Sequence, residues 1–598
     1  MNNEIEILYN LKKEVEFDID LLIEKMNDNL LIKFVLQIME DIFNLNSSIF
    51  LSGNFQKEAL AESLSYLLYR KINNSKNNIK FNLKVYDDYI NFVNNNYILI
   101  NKLFHFLRVK YLLDDMITYV SRQDYILVNY NNILELQHKI KDFDYYYKLG
   151  YFRNMLENIY VQKESEKNST TMKEILDLVN RFKSYFKVMD FYIKDAGSFN
   201  EQIIFSLNPR GLYSLSKFLT HSHKIILHST ISNYLINNNK NPDEKCRKEG
   251  NLKWIDLISF SIIIQYIAMF INNTIEENST SARMSVNSKI LSMNKVELEI
   301  FFYNIFNSIN NDISFEEVKD FINKFTTYTA YTQKRIDIQF NPIINIEDYY
   351  FVLVNVFSQS DITRAYIDNF SVKLDENGSN FEESVFNILK IKFNNIYREI
   401  KYIDHNNKKG EIDLLIISNN NIYFIECKNR LKPISSNSSI NNYQYFLKAV
   451  TQLNQAEEYF NNDRNRFLKR HIKDGFNDIN DYKIYKVIIM SNPNLSGLIY
   501  ENVAVRDIIS LDRLINKGNI RDITSSIDGK EQTVKNISLY QNNEFFQEID
   551  FINYLSMESI FFKYLKENIV QIVTEEIRYK NYILKQNLLG YKWIEEKE

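Results

Sequence analysis

The chain has 598 residues, a net charge of −4, 45% hydrophobic and 25% charged residues, and only 12 glycines and 5 prolines. Such values fit two to four soluble globular domains with sizeable cores, rich in long helices and poor in tight turns. The two cysteines, Cys246 and Cys427, lie far apart; they exclude a disulfide framework and predict a reducing compartment. The acidic N-terminal stretch MNNEIEILYNLKKEVEFD lacks the apolar core of a signal peptide, so a cytoplasmic location is expected. The near-neutral total does not exclude a nucleic-acid partner, because a basic cleft can lie within an acidic surface.

Residues 1–335 read as an α-helical region. Segments 30–45, 57–72, 96–120, 131–161 and 172–192 carry apolar residues at helical spacing. Segment 257–271 is strongly apolar, yet it is shorter than the roughly 20 residues a bilayer requires. It also contains Ser259, Ser261 and Gln265, so it reads as a buried core helix and no membrane partner is expected. His221, His223 and His228 do not share one helical face and have no cysteine pair beside them, which disfavours a zinc site. No glycine-rich phosphate loop, serine nucleophile elbow or fixed repeat is present in this region. Residues 336–375 read as a connector built on a β-hairpin over 341–355, with Glu347 and Asp348 at its turn.

Residues 376–518 have a different pattern. A helix from Asn380 presents Phe381, Val385, Ile388 and Leu389 as an apolar stripe, with Glu382 bordering its buried side and Glu383 on the solvated face. A strand over 396–403 follows. Next comes the stretch KGEIDLLIISNNNIYFIECKNR, read as two strands joined by a polar turn over 418–421. The first carries Asp413 and the second runs into Glu426, Cys427 and Lys428. Alternation puts Glu426 and Lys428 on one face, and Ile425 and Cys427 on the other. A charged group in such apolar surroundings costs several kcal/mol unless it is paired or ion-bound. Two carboxylates and a lysine converging at the ends of adjacent strands therefore form a site for a hard divalent cation. Cys427 reads as a small core residue rather than a nucleophile.

Beyond these strands a helix over 448–460 carries Gln452, Gln455 and Tyr459; Gln455 and Tyr459 share a face. The segment RNRFLKRHIK holds Arg464, Arg466, Lys469, Arg470 and Lys473, the densest basic patch in the chain. With Arg430 these residues are candidates for nucleic-acid phosphate contact. A strand over 484–490 and a strand-plus-helix over 503–515 complete the domain. Residues 519–598 read as a helical C-terminal extension, with candidate helices over 551–569 and 573–589.

Asp413, then Glu426-x-Lys428, set in an α-β-β-β-α-β order, resembles the PD-(D/E)xK nuclease superfamily over roughly residues 380–517; Ile412 stands where the namesake proline would be. The resemblance implies a multidomain protein in which a large helical N-terminal region precedes a restriction-endonuclease-like α/β core, a mixed central sheet flanked by helices. It implies Mg²⁺, replaceable by Mn²⁺, held by Asp413, Glu426 and the Cys427 carbonyl, with Glu382 assisting. Lys428 would orient the attacking water, and Gln455, or Gln452 in its place, would lie nearby. The implied activity is hydrolysis of DNA phosphodiester bonds, in bacterial restriction or anti-phage defence. Cutting both strands takes two sites, hence an expected homodimer or higher oligomer. The helical region is expected to act as a sensor of DNA structure or of a protein or small-molecule activator. The alternatives are a nuclease for RNA or single strands, and a non-catalytic interaction protein on a degenerate nuclease fold.

Overall fold

The computed structural model describes residues 2–43, 57–74, 92–122, 124–150, 153, 189–194, 202–207, 211, 214–215, 243–278, 284–286, 290–329, 336–372, 377–403, 409–430, 436–462, 464, 467, 482–525, 532–541, 545–556 and 559–591. The chain forms two compact units, one of residues 1–115 and 162–373, the other of 116–161 and 374–598. The expected division at 335 and 376 is thus corrected: segment 116–161 belongs with the C-terminal half, and the supposed connector belongs with the first unit.

The first unit is dominated by helices, including Asn2–Ile23, Asp28–Ile42, Lys57–Asn74, Trp254–Asn278, Lys295–Ile309 and Phe315–Lys324. Their starts follow capping chemistry: Asn294 with Glu297, and Ser314 with Glu317, form reciprocal capping boxes. The Trp254–Asn272 stretch is long and apolar enough to cross a membrane, but 72% of that window is buried within the protein. It is the core helix expected from its serines and glutamine. Phe260 stacks on Phe306 at 4.3 Å and meets Phe302, Phe321 and Phe357 edge-on, a cluster that fixes the surrounding helices.

The hairpin expected over 341–355 forms as Ile343–Ile346 and Tyr349–Val352. It is no connector, because it pairs with Leu291–Asn294 and Thr326–Tyr328 in a four-stranded sheet. Helix Val354–Gln359 then starts at Leu353, which offers no capping side chain. Glu40 supplies the cap from the Asp28–Ile42 helix: its carboxyl accepts the Asn355 N–H at 3.0 Å, Asn355 Nδ2 at 2.7 Å and the Val356 N–H at 3.4 Å. Burial pushes the Glu40 pKa up to about 8, against the pull of these donors. The expected helix over 172–192 gives way to a strand, Met189–Lys194; residues 172–188 lie outside the described residues, as do His221, His223 and His228.

The second unit is α/β. Helix α1 (Asn377–Lys390) is followed by strands β1 (Ile396–Ile403), β2 (Lys409–Ser418) and β3 (Asn421–Lys428), helix α2 (Ser436–Asn462), and strands β4 (Lys483–Met490), β5 (Ile499–Tyr500) and β6 (Val503–Asp507). The sheet order is β1-β2-β3-β4-β6-β5. β1, β2 and β3 are antiparallel; β3, β4 and β6 are parallel. Strand β3 is buried except at its two end residues, and β2 is buried continuously from Leu414 to Ile417, as central strands covered on both faces should be. Tyr423 meets Phe393 and Phe551 on one face, while Phe424 meets Phe460 of α2 and Phe467 on the other. At the end of β6, Asp507 is fully buried and accepts from both terminal nitrogens of Arg153 at 2.8 and 3.1 Å and from the hydroxyls of Ser496 and Ser510. Arg153 ties segment 116–161 to this sheet.

Strands replace expected helix in two places. At the start of the expected helix 131–161, Ile133–His138 is a strand that forms a hairpin with Tyr125–Tyr130, and helix begins only at residue 143. Asn131 and Asn132 both adopt positive φ, 49° and 65°, the backbone of the tight hairpin turn that asparagine tolerates. The C-terminal extension holds helices Glu548–Leu555 and Ile560–Tyr564, then the hairpin Val570–Tyr579 with Tyr582–Tyr591 where a helix was expected over 573–589. From Thr574 to Tyr579, exposed and buried residues alternate strictly, a period of two. The two hairpins join in one sheet, with Ile583 paired to Ile133 in parallel.

Candidate active site

The β2–β3 hairpin opens at its charged end. Main-chain pairing runs from Ser418↔Asn421 to Leu414↔Ile425 and stops there. One step further, Asp413 faces Glu426, and the side chain of Asp413 takes over from the ladder: its Oδ2 accepts the Cys427 N–H at 2.7 Å. Across β2, Glu399 of β1 has φ 52° and interrupts the pairing to β2 at the same level. The left-handed backbone at a non-glycine residue costs about 1–2 kcal/mol.

Glu426 and Lys428 share the face covered by α2. Glu426 is 2% exposed, and Lys428 Nζ donates to its Oε1. The same ammonium donates to Gln452 Oε1 of α2 at 3.2 Å. Glu382 on α1 adds a third carboxyl. Burial, then the charges of Asp413, Glu411 and Glu399, push its pKa up to about 7 against the opposing pull of Arg398. Burial and then Asp413 push Glu426 up to about 7, with Lys428 pulling the other way. Burial likewise raises Asp413, opposed by the Cys427 N–H and by Lys428. Burial drives the Cys427 thiol well above its usual range, as suits an inert core cysteine.

Three carboxyl groups thus share one neighbourhood with a single lysine. A hard divalent cation fits that excess of oxygen donors and negative charge, so Asp413, Glu426 and Glu382 have the right chemistry to hold Mg²⁺. Among the described residues no group of three or more His, Cys, Asp or Glu side chains is already arranged around an ion position, because Glu426 leans on Lys428 and Asp413 on the Cys427 amide.

The geometry corrects the choice of glutamine. Gln455 is exposed, whereas Gln452, one helical turn earlier, reaches Lys428. Tyr459, on the Gln455 side, stacks on Tyr402 at 4.6 Å and supports the sheet. Of the basic candidates, Arg464 donates to Asn461 Oδ1 at 2.8 Å. Arg466, Lys469, Arg470 and Lys473 lie outside the described residues. Arg430 stands two residues past Lys428 with its guanidinium over the ring of Tyr445. Sequence reasoning missed Tyr445 and Ser491. The signal for Tyr445 is its place seven residues before Gln452, two turns along one helical stripe.

These features converge on the segment from α1 to the end of β4, and it matches one known family. Residues 377–491 match the nuclease-related domain (NERD). The match begins at the first residue of α1 and ends one residue past β4, so it takes in Glu382, Asp413, Glu426, Lys428 and Gln452 together. The nuclease-related domain family falls within a restriction-endonuclease-like nuclease superfamily. No curated protein and no solved structure matches the chain.

Proposed function

We propose that the nuclease-related domain is a metal-dependent phosphodiesterase of PD-(D/E)xK type acting on DNA. The observation that carries this reading is the split β2–β3 hairpin, where Asp413, Glu426 and Lys428 meet beside Gln452. Asp413, Glu426 and the Cys427 carbonyl would hold Mg²⁺ or Mn²⁺, with Glu382 holding a second ion or its waters. A bound Mg²⁺ supplies Lewis-acid stabilisation of phosphoryl charge and a lowered pKa for a coordinated water. Lys428 orients the attacking water and stabilises negative charge developing on the phosphoryl oxygens. Gln452 holds the Lys428 ammonium at the mouth of the hairpin.

The test is cleavage of supercoiled plasmid by the full chain with and without Mg²⁺, beside Glu426→Ala. The reading expects nicked or linear product from the unsubstituted chain alone; equal product from both sinks it. Parallel labelled duplex DNA, single-stranded DNA and RNA decide the substrate. We extend the proposal to a cytoplasmic protein of bacterial restriction or anti-phage defence, acting as a homodimer or higher oligomer. Its helical unit would serve as sensor for a protein or small-molecule activator.

One observation favours a second reading, a non-catalytic nuclease-like fold: the Lys428–Glu426 pair is closed and Glu426 is 2% exposed. Calorimetric titration with Mn²⁺ separates the two. Binding that Asp413→Asn abolishes supports the enzyme. No binding to the unsubstituted chain supports the interaction protein.

A further inference from the structure

The chain just past β3 is fixed at both of its main-chain polar groups. The Arg430 N–H donates to the Ser491 hydroxyl at 2.7 Å. The Arg430 carbonyl accepts from that hydroxyl at 2.9 Å and from Asn492 Nδ2 at 2.9 Å. The Ser491 N–H donates to the Lys428 carbonyl at 3.1 Å. The parallel pairing of β3 with β4 ends at Lys428↔Met490, and Ser491 and Asn492 prolong it with their side chains. Arg430 is therefore held in register with Lys428 and Glu426 rather than left on a loose loop.

Its side chain is seated as well. The guanidinium carbon lies 3.0 Å over the centroid of the Tyr445 ring. Tyr445 and Gln452 are two turns apart on α2, so one stripe of that helix supports both cations: Gln452 holds Lys428 and Tyr445 holds Arg430. A guanidinium stacked on an aromatic ring presents its N–H groups at its edge, in a fork that matches two phosphate oxygens. Two residues of chain span at most about 7 Å. Lys428 and Arg430 thus lie within reach of neighbouring phosphates of one strand.

We infer that Arg430, seated on Tyr445, is a substrate-binding residue that takes the nucleic-acid backbone phosphate adjoining the bond at Lys428. The inference rests on the nuclease reading for its substrate class but is tested without cleavage. Binding of the full chain to a fluorescein-labelled DNA duplex, and to its single strand, is followed by anisotropy in EDTA across a salt series. Arg430→Ala is expected to weaken binding about tenfold or more. It should also flatten the slope of log K against log salt by about 0.9 on the duplex, or about 0.7 on the single strand. Arg430→Lys keeps the charge and should restore the slope, while leaving binding weaker because the fork and the stacking are lost. Tyr445→Phe should bind normally and Tyr445→Leu weakly.

An unchanged slope and affinity in Arg430→Ala overturns the inference. So does absence of binding by the unsubstituted chain, or an Arg430→Lys variant that binds as poorly as Arg430→Ala and melts earlier, the pattern of a purely structural role. If the unsubstituted chain binds with the predicted slope change but never cleaves in Mg²⁺, the nuclease reading fails and the phosphate seat stands. If it cleaves and Arg430→Ala leaves the slope untouched, only the phosphate seat fails.

Discussion

The buried pair Arg153–Asp507 gives the sharpest test of how the second unit is held together. Their side chains are 4% and 0% exposed, so neither charge can turn to water when its partner is removed. Asp507→Ala removes the carboxylate that pairs with the Arg153 guanidinium and accepts from the Ser496 and Ser510 hydroxyls. Breaking one side of a buried pair costs about 3–5 kcal/mol, whereas replacing both charges by apolar groups is often close to neutral. At roughly 2–4 °C per kcal/mol for a unit of this size, Asp507→Ala should lower the melting temperature of that unit by about 6–20 °C. The double variant Arg153→Met with Asp507→Leu should recover most of the loss. Differential scanning calorimetry of the full chain, following the transition of the second unit, reads both.

The pair also predicts a pH signature. Burial acts to raise the Asp507 pKa, but Arg153 and the two hydroxyls outweigh it and hold the carboxyl well below the usual carboxylate range. The native state therefore binds this proton less readily than the unfolded chain. Its contribution is fully present above an ordinary aspartate pKa of about 3.9 and is lost as pH falls through the native value. The stability gap between the unsubstituted chain and Asp507→Ala should narrow below about pH 4. A double variant as unstable as Asp507→Ala, or an Asp507→Ala loss under about 1 kcal/mol, would refute the claim that mutual compensation holds this joint.

Three further predictions concern the site and the first unit. Lys428→Met should lower Mg²⁺-dependent plasmid cleavage by about a hundredfold or more, the usual effect of deleting one positioned charge-stabilising group; residual activity within tenfold would remove Lys428 from the mechanism. Gln452→Ala should slow cleavage roughly tenfold through the lost hydrogen bond to Lys428, while Gln455→Ala leaves the rate unchanged. The reverse ranking would restore Gln455. For Glu40, a native pKa raised to about 8 means its contribution is present below about pH 4.3 and is lost as pH rises towards 8, at about 1.4 kcal/mol per unit. Glu40→Gln cannot ionise, so urea titrations of the variant across that range should show a flatter dependence. An identical slope would show that Glu40 is ionised throughout.

What the sequence reveals follows from how local each signal is. Asp413, Glu426 and Lys428 are legible because two apolar strands leave three charges with no other role, and the strand period places two of them on one face. Glu382 is legible from its position beside the Phe381–Val385–Leu389 stripe. Choosing Gln452 over Gln455 needs the rotation of α2 against β3, which no helical period supplies. The hairpins at 125–138 and 570–591 were hidden for another reason. Their turns, Asn131–Asn132 and Lys580–Asn581, lack glycine, and asparagine is so frequent in this chain that its turn signal fades. Arg430 stands out as a charge in the sequence, but its seat on Tyr445 and its tether to Ser491 join residues 15 and 61 positions away.

The parallel pairing of Ile133 with Ile583 also bears on how the molecule is made. A nascent chain that has exposed its first hairpin must wait some 450 codons for the strand that completes the sheet. In the interval the mostly helical unit is synthesised in full, through residue 373. The half carrying the Asp413–Glu426–Lys428 group instead closes only when translation reaches its final hairpin. A ribosome stalled short of residue 582 should therefore display the first unit folded beside an unfinished second unit.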